Sequence, residues 1–465
     1  MAPARPRGSK LSTECVRVGC GSGFWGDAFD PAMELLEHGQ LDFLSFDFLA
    51  ELTMALLQRQ RAREPGAGYV EDAVDFMAAM APVARANGTR LVSNGGGVNP
   101  QAGATELARR LAERGQRGTR IGVVGGDDLL GRLDALAQQG VALDNAVTGE
   151  AGIDRIRKRI VCANAYLGSE GIIDTLNAGA DIVLTGRVAD SAVFVGPIMQ
   201  RLGIGYGQPD VVAAAIAAGH IAECAAGCTG GMSSRFDTMP AMGRVGFPII
   251  EFERDGRFAI TKLPGTGGRV DSFTVKEHLV YEIGDPRSYA VPDGVADFTS
   301  LQLRDDGTDR VAVSGTRGAP QPERLKVLIG YSDGWIGEGL LMFPWPHAFA
   351  RAQKARQTLT ERFERLGLAP QEIEWSYVGI NTLHGPAAPL PEYVNDLNEV
   401  GLRVAVRTAS REDADKVRRA CAQMWIMGPG GTAFGVPMKP RPVVSLWPTF
   451  IPRELVPWKT EIIES

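Results

Sequence analysis

Residues 160–193, IVCANAYLGSEGIIDTLNAGADIVLTGRVADSAV, alternate apolar runs with polar loops at the spacing of a strand, a helix and a second strand. The run Ile160-Val161-Cys162-Ala163 is too apolar to face water, and it stops at Asn164-Ala165-Tyr166-Leu167-Gly168, where polar side chains and a glycine arrive together. A helix from Ser169 to Ala178 follows and halts at Gly179. Ile182-Val183-Leu184-Thr185 is then a short, largely β-branched run of the kind that makes a strand buried on both faces. It too ends in polar sequence, Gly186-Arg187-Val188-Ala189-Asp190-Ser191. Two such strands lying parallel aim Asn164, Tyr166, Arg187 and Asp190 at the carboxyl edge of one sheet, where open α/β proteins bind their ligands.

Towards the N-terminus the same unit recurs. Strand candidates Cys15–Cys20, Leu41–Phe46, Thr89–Ser93 and Thr119–Val124 are each followed by polar or glycine-rich sequence. The loops are Gly21-Ser22-Gly23-Phe24-Trp25-Gly26-Asp27, Asp47 onward, Asn94-Gly95-Gly96-Gly97-Val98-Asn99-Pro100, and Gly125-Gly126-Asp127-Asp128. Strand-loop-helix units of roughly 30 residues with apolar strands predict parallel βαβ crossovers. The expected fold is therefore α/β: a three-layer, parallel-sheet domain over 15–205, with a TIM-like barrel as the alternative. Residues 1–14 read as a disordered basic leader, and 141–158 as an excursion or lid. After Gly203 the texture changes to alternation with Asp255-Gly256 and Asp306-Gly307 turns, which predicts an antiparallel β-rich domain over 206–345 that completes the site. An α+β closing region spans 346–465, with a proline-rich tail from Val436 to Trp458 that wraps over the body or a neighbouring subunit.

Bulk properties narrow the function. The chain has 465 residues and a net charge of −6 from 49 basic and 55 acidic side chains, so no basic excess is available to neutralise nucleic-acid phosphates. No apolar run reaches the roughly 18 residues that would suggest a membrane span. The six cysteines are scattered, which fits reduced thiols and a cytoplasmic setting.

The candidate chemistry sits at strand ends. Gly21, Gly23 and Gly26 have the spacing of a dinucleotide fingerprint with Asp47 near the ribose position, but Phe24 and Trp25 are bulky where a pyrophosphate must approach. An aromatic-lined substrate loop or a plain tight turn is the preferred reading. Asp47 and Glu51 would share a helix face if a helix began at Asp47, giving a general base, a metal ligand, or charges favoured by the helix dipole. Asp127 and Asp128 read as a helix cap or a substrate contact. Gathered carboxylates leave a hard divalent metal open, with no spacing that demands one. Asn94 and Asn99 can polarise a carbonyl, and Arg187 with Asp190 makes either a structural ion pair or a carboxylate clamp. His220, Cys224 and Cys228 recur every four residues, so a continuous helix from Ala213 to Cys228 would line them up for zinc or, more simply, for close packing; His220 and Glu223 stay acid/base candidates. Lys262, Thr266 and Gly267 form a loop suited to anions, although its lysine precedes the glycines and so is no P-loop.

Taken in order, G-S-G-F-W-G-D at 21–27, D-F-L-A-E-L-T at 47–53, S-N-G-G-G-V-N-P at 93–100, G-D-D-L-L at 126–130, A-N-A-Y-L-G at 163–168, G-A-D-I-V-L-T-G-R-V-A-D at 179–190, G-H-I-A-E-C at 219–224, T-G-G at 229–231 and I-T-K-L-P-G-T-G-G at 260–268 resemble the acyclic terpene utilisation family. The resemblance implies a role in breaking down branched acyl-CoA compounds such as citronellyl and geranyl derivatives. Longer members carry a ferredoxin-like α+β module after the main domain; here only 370–435 is left for one, which implies a small ferredoxin-like partner subunit.

Together these readings favour an enzyme acting on a carboxylic acid or acyl-CoA, most simply a hydratase or dehydratase, or a related proton-transfer lyase or isomerase. Asp47, Asp127, Asp190, His220 and Glu223 are the candidate proton carriers. Asn94, Asn99, Asn164, Tyr166, Arg187, Lys262, Thr266 and Gly267 are the candidate substrate contacts, with a CoA thioester as the substrate moiety and a homo-oligomer as the expected assembly. Two alternatives stand beside this one: a non-catalytic acyl-CoA or carboxylate-binding subunit, and a nicotinamide-linked oxidoreductase on the 19–26 loop.

Overall fold

The computed structural model describes residues 14–434 and 438–465; the leader up to residue 13, and 435–437 of the proline-rich tail, lie outside them. The strands in chain order are β1 Cys15–Ser22, β2 Phe43–Phe46, β3 Arg90–Ser93, β4 Arg120–Gly125, β5 Ile160–Ala165, β6 Ile182–Thr185, β7 Pro248–Glu253, β8 Phe258–Lys262, β9 Tyr289–Val291 and β10 Gly294–Asp297. They continue with β11 Gln302–Asp305, β12 Arg310–Ser314, β13 Arg317–Ala319, β14 Arg324–Pro344, β15 Glu372–Val378, β16 Glu399–Thr408, β17 Ala433–Phe434, β18 Arg441–Pro452 and β19 Lys459–Glu464. The chain divides into two compact units, Met1–Gly330 with Leu446–Ser465, and Tyr331–Ser445.

The first unit is built on one ten-stranded mixed sheet in the order β11-β12-β8-β7-β1-β2-β3-β6-β4-β19. Its centre, β1-β2-β3-β6-β4, is parallel throughout. β2 and β6 are buried along their whole length, as their apolar composition requires. The expected βαβ units are therefore present, and the sheet is open, with β11 and β19 as its edges, so the barrel alternative is not adopted.

Two expectations change. β7, β8, β11 and β12 extend the parallel sheet itself, through the antiparallel pairing of β7 on β1, and do not stack as a separate layer. The Asp255-Gly256 and Asp306-Gly307 turns do join antiparallel neighbours; only β9, β10 and β13 form a small sheet apart. Second, β5 is absent from the ten-stranded sheet. It pairs with β14, and the backbone N–H of Tyr166 just beyond it donates to the Lys326 carbonyl at 2.9 Å. An apolar strand reads the same whichever sheet receives it, and the partner lies some 160 residues away.

The tail returns as β19, antiparallel to β4. Before it, Trp447 is 1 % exposed and donates from Nε1 to the Leu143 carbonyl at 3.0 Å, pinning the 141–158 excursion against the body.

The second unit has the order strand, helix, strand, strand, helix, strand: β14, α1 Ala348–Arg365, β15, β16, α2 Arg411–Met427, β17. Its strands lie in the order β15-β16-β14-β17, antiparallel at every pairing. That is the ferredoxin-like βαββαβ topology. Phe343, Phe349, Leu359, Phe363, Leu402, Val417 and Met424 fill its core. The module is thus present in this chain, so the inference to a partner from its shortness loses its premise. Among the described residues no helix is long and apolar enough to cross a membrane.

Candidate active site

The parallel strands end at one edge, and the loops beyond them converge there. Asp47, after β2, is buried; Asn94, after β3, donates from Nδ2 to Asp47 Oδ1 at 2.5 Å and accepts the Phe48 N–H on its own Oδ1 at 2.8 Å. Asp127, after β4, accepts the Arg187 backbone N–H at 3.1 Å and the Asn164 side chain at 2.8 Å, both on Oδ2. Gly186, after β6, makes this possible: a Cβ there would lie 2.4 Å from Asp127 Oδ1.

Arg187 is the hub. Its side chain is 1 % exposed, yet it spans the cluster. Nη1 donates to the Leu49 carbonyl at 2.7 Å, Nε to the Val188 carbonyl at 2.8 Å, and Nη2 to Asp190. Its guanidinium lies 4.4 Å from the centre of the Tyr166 ring, and Lys326 Nζ lies 4.9 Å from the same centre. Lys326 in turn bonds Glu51 at 2.6 Å. Burial works against the guanidinium's charge, but Asp190, Tyr166 and Asp47 more than offset it and hold its pKa above the ordinary value. Tyr166 is itself pushed up to about 12 by burial.

The carboxyls divide by environment. Burial, then Asp190, raises Asp47 well above the usual range against the opposing pull of Arg187 and the bond from Asn94. Burial pushes Asp127 up to about 6. Glu223 is raised well above its ordinary value by burial and then by Asp190 and Glu282. Asp190 is half-buried, which makes it the open end of the group.

His220 fixes the proton on Glu223. Its Nε2 lies 3.3 Å from the Leu279 carbonyl, which only accepts, so Nε2 carries the hydrogen. Burial holds the imidazole at about 4, hence neutral at pH 7, which leaves a lone pair on Nδ1. Glu223 Oε1 stands 3.0 Å from that lone pair and must donate to it. A carboxyl raised by burial is the group that can. Its other oxygen, Oε2, is buried with no partner.

Several expectations resolve differently in space. The helix that carries His220 is Pro209–Ala222, and Ala225 takes a left-handed φ of 46°, so His220, Cys224 and Cys228 form no continuous stripe. The helix after Asp47 begins at Thr53; Asp47 and Glu51 do not share a face, one turning to Asn94 and the other to Lys326. Gly23 packs against Cys224, where a Cβ would sit 2.7 Å from its backbone, so this glycine has a packing cause. Asn99 spends its amide on the Pro65 and Ala67 carbonyls at 3.1 and 2.9 Å. Lys262 is held by Asp309 at 3.0 Å and by the Thr266 carbonyl at 2.9 Å, a local knot on β8 in which Gly267 pairs with Val245, and among the described residues no hydrogen bond or ion pair links it to the cluster. The described residues hold no group of three or more His, Cys, Asp and Glu side chains arranged for a metal ion.

Sequence reasoning missed Lys326 and His278. His278 is buried, stacks on His220 with ring centres 5.9 Å apart, has no hydrogen-bond partner on either nitrogen, and is lowered to about 4 by burial. It also missed Asp293, which accepts the Ser169 N–H, the Ser169 hydroxyl and the Tyr206 hydroxyl at 2.8, 2.6 and 2.9 Å on one oxygen, capping the helix that begins at Glu170. Nothing local marks any of the three, because each acts across more than 50 residues of sequence.

An open mixed sheet that delivers buried carboxyls, a neutral histidine and one buried guanidinium to its carboxyl edge defines an α/β protein with an acid–base cluster. A match to the acyclic terpene utilisation family protein AtuA covers residues 16–462. The chain belongs to that family. No curated protein and no solved structure matches it.

Proposed function

We propose that this chain is an enzyme of acyclic terpene breakdown that moves a proton on an acyl-CoA or carboxylate substrate, as a hydro-lyase or a related lyase or isomerase. The observation that carries the reading is Glu223, a buried carboxylic acid held neutral against His220, beside a second carboxyl, Asp190, bonded to Arg187. A carboxyl that holds its proton and a second carboxyl bonded to a guanidinium within one cluster are the acid and base that elimination of water requires.

In that step Asp190 takes the proton from the carbon next to the acyl carbonyl. The electron pair left behind forms the double bond as the carbon–oxygen bond breaks, and the departing hydroxide leaves as water with the proton of Glu223. Asp190 ends protonated and Glu223 ionised; one proton returning through Asp47 or His220, or through solvent, resets both. Arg187 balances the charge on the base throughout, and Lys326, half-exposed beyond Tyr166, offers a cation to the anionic end of the substrate.

The test is incubation in D2O with enoyl and 3-hydroxyacyl thioesters and with the free acids. Deuterium enters at the carbon next to the carbonyl with wild type and not with Glu223→Gln. The reading is abandoned when no substrate of either class exchanges and none shifts the melting temperature.

A further inference from the structure

We propose that the cavity against Asn164 is the seat of a hydroxyl oxygen: a bound water at rest, and the hydroxyl of a hydroxylated acid when one is bound. The proposal deepens the proton-transfer reading and rests on the same site, but it is drawn from different atoms.

Asn164 is 2 % exposed. Its Nδ2 donates to Asp127 Oδ2 at 2.8 Å, which fixes the direction the amide faces. Its Oδ1 is then buried with no partner. Buried acceptors are nearly always satisfied, so an unpaired one beside a space points to a donor that fills the space. The space is there: a cavity of ≈ 10 Å3 is lined by Asn164, Tyr166, Arg187, Cys162, Met54 and Glu51, among others. That is room for about one oxygen.

The lining says which oxygen. Arg187 uses three of its N–H groups on Leu49, Val188 and Asp190, and its remaining ones have no acceptor among the described residues. An occupant that donates to Asn164 Oδ1 pairs the orphaned acceptor, and one that also accepts can take an N–H of Arg187. A carboxylate or carbonyl oxygen accepts only and leaves Asn164 unpaired. An ammonium donates only and brings its charge against the guanidinium. A hydroxyl or a water does both. The substrate class implied is the hydroxy acid or hydroxyacyl compound, whose hydroxyl oxygen the cavity holds when the acid is bound.

Two measurements on the full chain test this. A crystal structure of the unliganded protein at neutral pH is expected to show an ordered water within hydrogen-bond distance of Asn164 Oδ1; a dry cavity, or an amide turned with its nitrogen inward, overturns the seat. In thermal-shift titrations, 3-hydroxybutyrate is expected to bind about tenfold or more tightly than butyrate, a difference of about 1.4 kcal/mol per decade; equal shifts, including none, overturn its extension to substrate. A water in place with neither deuterium exchange nor a melting shift from any substrate would sink the proton-transfer reading and leave the seat standing, whereas exchange with a dry cavity would do the reverse.

Discussion

His278 permits a sharp test of the claim that burial, and not an ionic partner, sets the state of this cluster. Burial lowers both His220 and His278 from 6.5 to about 4. The difference of about 2.5 units corresponds to about 3 kcal/mol for each ring. The sign is set by which state binds the proton: a folded-state pKa below the unfolded one means that the unfolded chain takes up more protons between pH 6.5 and 4. Each ring's share of stability is thus fully present above 6.5 and lost as the pH falls through that window. Asp127 runs the other way. Raised from 3.8 to about 6, it contributes stability that is present below about 4 and lost as the pH rises to 6, so it returns about 3 kcal/mol on acidification and masks one histidine. Comparison of wild type with His278→Phe cancels Asp127, and keeps the His220 ring in both chains. His278 makes no hydrogen bond and stacks on His220 and Tyr281, so an aromatic ring without nitrogens keeps its contacts. The free energy of unfolding, from urea denaturation at pH 7 and 4.5, should therefore shift in favour of the variant by about 2–3 kcal/mol at the lower pH relative to the higher. A difference that does not change with pH would show that the ring titrates alike in both states. It would also remove the argument from burial that keeps His220 neutral and the proton on Glu223.

Other perturbations separate structure from chemistry. Glu223→Gln keeps a donor facing His220 Nδ1, so unfolding free energy should move by less than about 1 kcal/mol while deuterium exchange falls by 10²-fold or more; an equal loss of both would make Glu223 structural. Arg187→Met strips the buried partner from Asp190 and two carbonyl contacts, and should cost about 3–5 kcal/mol by urea denaturation. Gly186→Ala drives a methyl against Asp127 Oδ1 and should cost about 1–3 kcal/mol, with Asp127 displaced in a crystal structure. Trp447→Ala should cost about 3–5 kcal/mol, and limited proteolysis should then cut within 141–158, whose anchor it removes.

The parts of this architecture that can be read from sequence are those that depend on neighbours in sequence. β2 and β6 are short, fully buried and largely apolar runs followed by polar sequence, and that local contrast is enough to place Asp47 and Arg187 at the carboxyl edge. Asp255-Gly256 and Asp306-Gly307 mark their hairpins for the same reason. Pairings chosen at a distance leave no local trace. β5 has the composition of a sheet-centre strand and yet joins β14, because burial rewards an apolar strand equally in either place. The end of the helix at Ala222 is announced by neither glycine nor proline, and without it the His220 stripe looks continuous. The ferredoxin-like unit is hard to see in the sequence because its first strand, β14, lies well before residue 370 and its last, β17, is two residues long.

The charge balance of the site explains why its residues come from several separate elements. Asp190 lies close enough to raise both Asp47 and Glu223, and Arg187 is the buried cation bonded to Asp190. Three ionised carboxylates around one guanidinium would leave two uncompensated charges in a buried space, a cost of several kcal/mol each. The cheaper state keeps protons on the two most buried members and leaves the half-exposed Asp190 to Arg187. A strand-end loop sets Asp190 against solvent, while the end of the helix Pro209–Ala222 sets Glu223 against an imidazole. The difference in depth is thereby converted into a difference in protonation, and an acid and a base coexist at one pH.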